Sequence, residues 1–183
     1  NNMLTGTVNV YLFKDYFRSA AALSVFGFAQ TAATFAAMPL IKPLVSRYGK
    51  KEISSFGLLL SAIAYFALFF LKDLSGMQFV AIATVGLFGV AFFNTVVWAF
   101  VTDVIDYHEL VTGLREDGTV YSIYSFSRKV GQAIAGGLGG FAIGAIGYNA
   151  ANDVQTDSTL NGIHTLGTLV PAVIYVLILV VMF

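Results

Sequence analysis

The sequence predicts an all-α, polytopic membrane protein, and three observations carry that prediction. Charged residues make up only 11% of the chain and hydrophobic residues 57%, where a soluble domain carries about 25% charged residues. Uncharged runs cover 19–41, 53–71, 74–102, 130–152 and 158–183, and each reaches the roughly 18 residues that indicate a membrane-spanning helix. The runs are continuous, unlike the short alternating strands of a transmembrane β-barrel.

The same composition narrows the function. Ten basic and ten acidic residues cancel, so the electrostatic footprint of nucleic-acid binding is missing and no nucleic-acid partner is expected. The chain has no cysteine, which removes disulfides, cysteine-ligated metals and thiol catalysis. A polar Asn1–Asn2 pair opens it, without the basic start of a secretory signal.

In chain order, residues 1–18 read as a truncated helix. Full spans are expected at about 19–45, 53–71, 77–101, 119–147 and 160–183. At about 1.5 Å per residue, even the shortest nearly covers a hydrocarbon core of about 30 Å. The last span runs to the chain end without a polar tail, so both ends read as cut, and 1–183 reads as one transmembrane bundle. Lys42, Arg47, Lys50 and Lys51 crowd the connection after the first full span. Arg115 lies in the 102–118 connection, on the same side by alternation. Five basic residues on that side against Lys14, Arg18 and Lys72 on the other make it cytoplasmic by the positive-inside rule.

In the 119–147 span, Gly136, Gly140 and Gly144 recur every fourth residue beside Gly137, Gly139 and Gly147. Small residues on one face let helix backbones approach closely in lipid. A dinucleotide loop would need a strand before the glycines, so packing is the expectation. Arg128 and Lys129 lie about ten residues into this span. A charge at that depth is costly and normally faces a cavity or a partner. The competing reading starts the span at Val130 and leaves both charges at the surface. Ser122, Ser125, Lys129, Gln132 and Gly136 form one polar stripe of a single helix, which favours a cavity for Lys129. Arg128 points about 100° away and is left without a role.

Asn94 and Trp98 form an i, i+4 pair in the 77–101 span. Trp98 suits either an interfacial anchor or a ligand surface. Asn94 suits either an interhelical hydrogen bond or a ligand hydroxyl. Gln30, Thr31 and Thr34 read as structural. Asp103, Asp106, Glu109, Glu116 and Asp117 share one connection with His108. The second histidine of a zinc-protease helix is absent, and no metal site is expected. Carboxylates at a helix C-terminus oppose its dipole. They are therefore expected to form breakable ion pairs with Arg47, Lys50, Lys51 and Arg115.

Asp103, Asp106, Tyr107 and Glu109, then Thr112, Gly113, Arg115, Glu116 and Gly118, and a span holding Lys129, Gly131 and Gln132, resemble a known pattern. It is that of the glycoside–pentoside–hexuronide:cation symporters of the major facilitator superfamily, melibiose and xyloside permeases among them. Trp98, Ala99 and the basic segment 47–51 are similar to it too, while His108 stands where a glycine is usual. The resemblance covers nearly the whole chain. It implies the C-terminal six-helix half of a twelve-helix major-facilitator fold, with the N-terminal half missing. It implies a secondary active transporter rather than an enzyme, carrying a sugar or glycoside with Na+ or H+ by alternating access in the bacterial inner membrane. Lys129, Asn94, Tyr124 and Ser125 would face the substrate, and the polar stripe and the i, i+4 pair add Gln132 and Trp98. Asp103, Asp106, Glu109, Arg115, Glu116, Arg47 and Lys50 would form a gating ion-pair network. No catalytic residue and no cofactor are expected, and the coupling cation would be bound mainly by the missing N-terminal half. A facilitator for a non-sugar solute and a non-catalytic membrane assembly subunit are the alternatives.

Overall fold

In a bilayer the backbone must satisfy its own hydrogen bonds, which long apolar runs do by forming helices. A computed structural model describes residues 2–152 and 154–182. Its helices are α1 (Asn2–Tyr11), α2 (Ala20–Tyr48), α3 (Lys50–Phe70), α4 (Gly76–Thr112), α5 (Asp117–Ala145) and α6 (Asp157–Met182), with a π-helical turn at Leu12–Tyr16 after α1. No strand occurs among the described residues, and the arrangement is half of a major-facilitator fold. Asn1 and Phe183, the outer limits of the first and last expected segments, lie outside the described residues.

The helix starts are set by local chemistry. The Ser19 hydroxyl caps α2 by accepting from the Ala22 amide at 3.2 Å. Ser75 and Gln78 form a reciprocal capping box at the start of α4, which satisfies two otherwise orphaned amides. Between α2 and α3 the chain turns at a single residue, Gly49, whose φ of 98° lies where side chains are disfavoured.

Four helices, α2, α3, α4 and α6, are long and apolar enough to cross a bilayer. The 29-residue α5 is long enough but is not among them, because its glycines and polar stripe dilute its apolar character. The acidic segment expected as a connection is instead helical to Thr112. No glycine or proline interrupts 90–112, and Gly113, with a φ of 73°, supplies the left-handed cap that ends the helix. Its 37 residues extend about 55 Å, well beyond a hydrocarbon core of about 30 Å. The carboxylates therefore ride on a helical extension that projects from the membrane.

The main core gathers Val8, Leu12 and Phe13 with Leu58, Tyr65, Leu68, Phe79 and Ile163. A second cluster joins Ala37, Ile41, Ile53, Ala91, Phe92 and Val96 across α2, α3 and α4. Helices α3 and α4 approach closely at two glycines. A Cβ on Gly57 would run into the Gly89 carbonyl, and one on Gly89 into the Gly57 carbonyl. The Ser61 hydroxyl lies 2.8 Å from the carbonyls of both Gly57 and Gly86. The packing face expected on α5 is not formed within this chain, since Gly136, Gly137, Gly140 and Gly144 have open space where a side chain would stand. Within α5, Gly139 alone meets a neighbour, Thr7 of α1 at 3.4 Å, while a Cβ on Gly147, past the helix end, would stand 3.8 Å from the Thr159 hydroxyl.

Lys50 and Asp103 are joined by an ion pair of 2.6 Å, so the α2–α3 turn and the end of α4 lie on one side. Single cysteines at Tyr48 and Glu116 are expected to react with an impermeant thiol reagent from the cytoplasm, and one at Asp157 from outside. Opposite sidedness of Tyr48 and Glu116 would overturn this topology.

Candidate functional site

A cleft of about 690 Å³ opens between α4 and α5. Val90, Phe93, Asn94, Val97 and Trp98 of α4 form one wall, and Tyr124, Arg128, Gly131, Gln132 and Ala135 of α5 the other. Tyr175 and Ile178 of α6 and Met3 of α1 complete the lining. On α4 the spacing i, i+4, i+8 from Val90 keeps Asn94 and Trp98 on one face. The Trp98 and Tyr124 rings meet edge to face with centroids 5.2 Å apart. The Arg128 guanidinium carbon sits 5.7 Å from the Trp98 ring centroid, a cation–π distance. The cleft thus combines aromatic surface with an amide pair, two phenols and a guanidinium.

The rotation of α5 decides which polar residues enter. Its buried residues are Gly139 and Ile143. Arg128, Gln132, Ala135, Gly139 and Ile143 follow i, i+4, i+7, i+11 and i+15, one helical stripe. Packing at the Ile143 end therefore turns Gln132, half-buried, and Arg128, still exposed, toward the α4 side. Lys129 and Ser125 lie outside the cleft lining, exposed on the neighbouring face with Ser122 and Gly136. The sequence reading chose the Lys129 stripe and set Arg128 aside; within this chain the cleft receives Arg128. Asn94, Trp98, Tyr124 and Gln132 come together there as lining residues. Tyr175 escaped the sequence reading, its signal being one phenol in an otherwise apolar stretch of α6.

The ionic residues divide into two groups. Lys50 Nζ reaches both Asp103 carboxylate oxygens, at 2.6 and 2.7 Å, tying the first residue of α3 to α4. Arg115 bonds Glu109 at 2.7 Å, Asp117 at 3.2 Å and Asp106 at 3.4 Å. It clasps the last turns of α4 to the first turn of α5 across the Gly113 corner. Glu109 and then Asp117 hold the Arg115 proton more firmly than usual. His108 turns back toward the same corner, with Nδ1 3.3 Å from the Leu114 carbonyl. The structure brings neither Glu116 nor Arg47 into these ion pairs; the Arg47 guanidinium stacks on Tyr48 at 5.3 Å. Among the described residues no cluster of histidine and carboxylate side chains is arranged to hold a metal.

The family of MFS/sugar transport proteins matches residues 2–183. The chain is 41% identical over 141 residues to the "Glucuronide carrier protein homolog" of Escherichia coli, covering 75% of this chain and 30% of that protein. It is 36% identical over 159 residues to the "Putative sulfoquinovose importer" of Salmonella typhimurium, covering 87% of this chain and 33% of that protein. A "Putative glycoside/cation symporter" of Escherichia coli is 41% identical over 86 residues, covering 45% of this chain and 19% of that protein. The chain spans about a third of the length of the first two of these relatives. No solved structure matches. Apolar helices long enough to cross a bilayer and transporter relatives in bacteria make this an integral protein of the bacterial inner membrane. A continuous match of sequence and an all-helical half-bundle agree: the chain belongs to the MFS/sugar transport protein family, among the glycoside–pentoside–hexuronide symporters.

Proposed function

We propose that this chain forms one wall of the translocation pathway in a cation-coupled symporter that carries a sugar or glycoside by alternating access. The observation that carries the reading is the α4–α5 cleft, where Asn94, Gln132 and Tyr124 converge beside the Trp98 ring. Sugar hydroxyls need several donors and acceptors, and an apolar sugar face needs an aromatic surface. Amides supply both donor and acceptor, and the phenol either. Lys129, on the exposed face of α5, reaches toward the remainder of the carrier and pairs there with substrate or with a carboxylate. The Lys50–Asp103 pair and the Arg115 cluster act as latches that differ in strength between inward- and outward-facing states. Na+ or H+ is the coupling ion, held mainly outside this chain. The relatives' names support sugar and cation as the cargo classes.

The test is radiolabelled glycoside and hexuronide uptake by the full-length protein in proteoliposomes, with and without a Na+ or pH gradient. Gln132→Ala and Asn94→Ala are each expected to weaken substrate binding about tenfold, the size of a lost hydrogen bond with its buried partner left unmet. Absence of gradient-driven uptake for every sugar tried would overturn the reading.

A further inference from the structure

A second pocket, of about 200 Å³, lies where α1, α2, α3, α4 and α6 meet. Asn9 of α1 and Tyr65 of α3 stand in its lining, with Phe26 and Leu87 as apolar neighbours and Gln30 at the exposed mouth. Tyr175 belongs both to this lining and to that of the α4–α5 cleft, so the pocket adjoins the cleft.

Its polar groups are buried by this chain alone. Asn9 is 4% exposed and Tyr65 1%. Elsewhere in the bundle, short polar side chains bond back to their own helix, as Thr84 does to the Val80 carbonyl and Thr168 to that of His164, each at 2.7 Å. The Asn9 amide and the Tyr65 hydroxyl have no such partner among the described residues. Tyr65 stands fifteen residues from Lys50, the first residue of α3, or about 22 Å along the helix. At that depth lipid offers no hydrogen bond, and a buried amide or phenol is costly without one.

The pocket is where a partner can come from, and its size and lining select which. No charged side chain lines it, so a cation there would lose its water without gaining a counter-charge. Its volume falls below the roughly 300–1,000 Å³ of pockets that enclose a small-molecule ligand. At about 30 Å³ each, several water molecules fit. Water also suits both groups, because an amide and a phenol can each donate and accept.

From this we infer that the pocket is a water site, in which a small cluster of ordered water bridges Asn9 and Tyr65 and ties α1 to α3 through solvent. Gln30 at the mouth and Tyr175 beside the cleft place this water at the side of the cleft rather than sealed within the bundle. The inference goes beyond the transport reading and does not need the cargo to be a sugar.

The experiment is X-ray radiolysis of the full-length protein in liposomes, read by mass spectrometry. Hydroxyl radicals formed from resident water mark the side chains that touch it. Tyr65 is expected to be modified at least about tenfold faster than Phe13 and Phe79, equally buried rings outside the pocket, because bound water lies against it alone. Asn9→Leu removes one of the water's partners and fills part of its space, and should slow Tyr65 modification severalfold. Thermal midpoints of Asn9→Leu, Tyr65→Phe and the double variant should be non-additive, the second exchange costing less after the first, as coupling through a shared water requires. Methyl glucoside and Na+, added in separate arms, should each leave Tyr65 modification unchanged. Protection by methyl glucoside would make the pocket part of the substrate's site, and protection by Na+ would make it a cation site; either overturns the water assignment. Tyr65 modified no faster than Phe79 in the wild-type protein overturns it without any variant. Additive midpoints overturn the bridge between Asn9 and Tyr65.

Discussion

Gly89→Val is expected to destabilise the bundle more than any other single exchange at a helix interface described above. Its side chain would have to occupy space held by the Gly57 carbonyl and by Ser61, whose hydroxyl oxygen stands 2.6 Å from where a Cβ would be. These neighbours are largely backbone and cannot rotate away, so α3 and α4 must separate. Separation also breaks the Ser61 contact with the Gly86 carbonyl, 2.8 Å in the intact packing. Overpacking of this kind costs about 1–3 kcal/mol, and a lost interhelical hydrogen bond adds about 0.6 kcal/mol. At about 2–4 °C per kcal/mol for a chain of this size, the midpoint of thermal unfolding in detergent should fall by about 5–10 °C. Gly140→Ala is the control, because nothing lies within 4 Å of its Cβ position, and its midpoint should not move. An equal fall at both glycines would mean that the α5 face packs against something beyond this chain.

Asp103→Lys is expected to slow uptake about fivefold to tenfold while leaving substrate affinity within about twofold, as a change of about 1 kcal/mol in one conformational state would do. The substitution sets two ammonium groups where Lys50 now reaches both oxygens of Asp103. Their side chains are 35% and 50% exposed, so solvent screening limits the energy to the range of surface ion pairs, about 0–1 kcal/mol for the lost attraction, with the new repulsion added. Asp103 lies five residues past Trp98 on α4 and outside the cleft lining, which is why rate and affinity should separate. Reversing both charges, Lys50→Asp with Asp103→Lys, should recover most of the rate. Double-mutant coupling of this kind identifies a direct pair. No recovery, or wild-type rate in the single variant, would reduce the latch to a passive surface contact.

Fold class and membrane residence were readable because both follow from composition and run length. An uncharged stretch of some twenty residues has few alternatives to a helix in lipid. The basic and acidic partners were readable as groups, since helix-end carboxylates call for cations. Their division was not. Helix α4 continues through Asp103, Asp106 and Glu109, which hands Asp103 to Lys50 and leaves Asp106 and Glu109 to Arg115. Reading the segment as a connection hid that face. The absence of any glycine or proline between Gly89 and Gly113 was the available signal.

Periodicity fixes the angle between neighbouring side chains, not the rotation of the helix about its own axis. Arg128 and Lys129 are about 100° apart in any α-helix, and the sequence by itself determined that they face different sides of α5, one of them nearer α4. Which one was decided by tertiary packing, through Gly139 against Thr7 and the burial of Ile143. The glycines obey the same division. A small residue permits close approach but does not supply the neighbour, so the Gly136–Gly140–Gly144 stripe stands open. The approach occurs at Gly57 and Gly89, where a second helix arrives with a matching gap. Length and apolarity of the helices are properties of one segment and were set by the chain alone. Facing and contact are properties of two segments, and only the folded bundle could decide them.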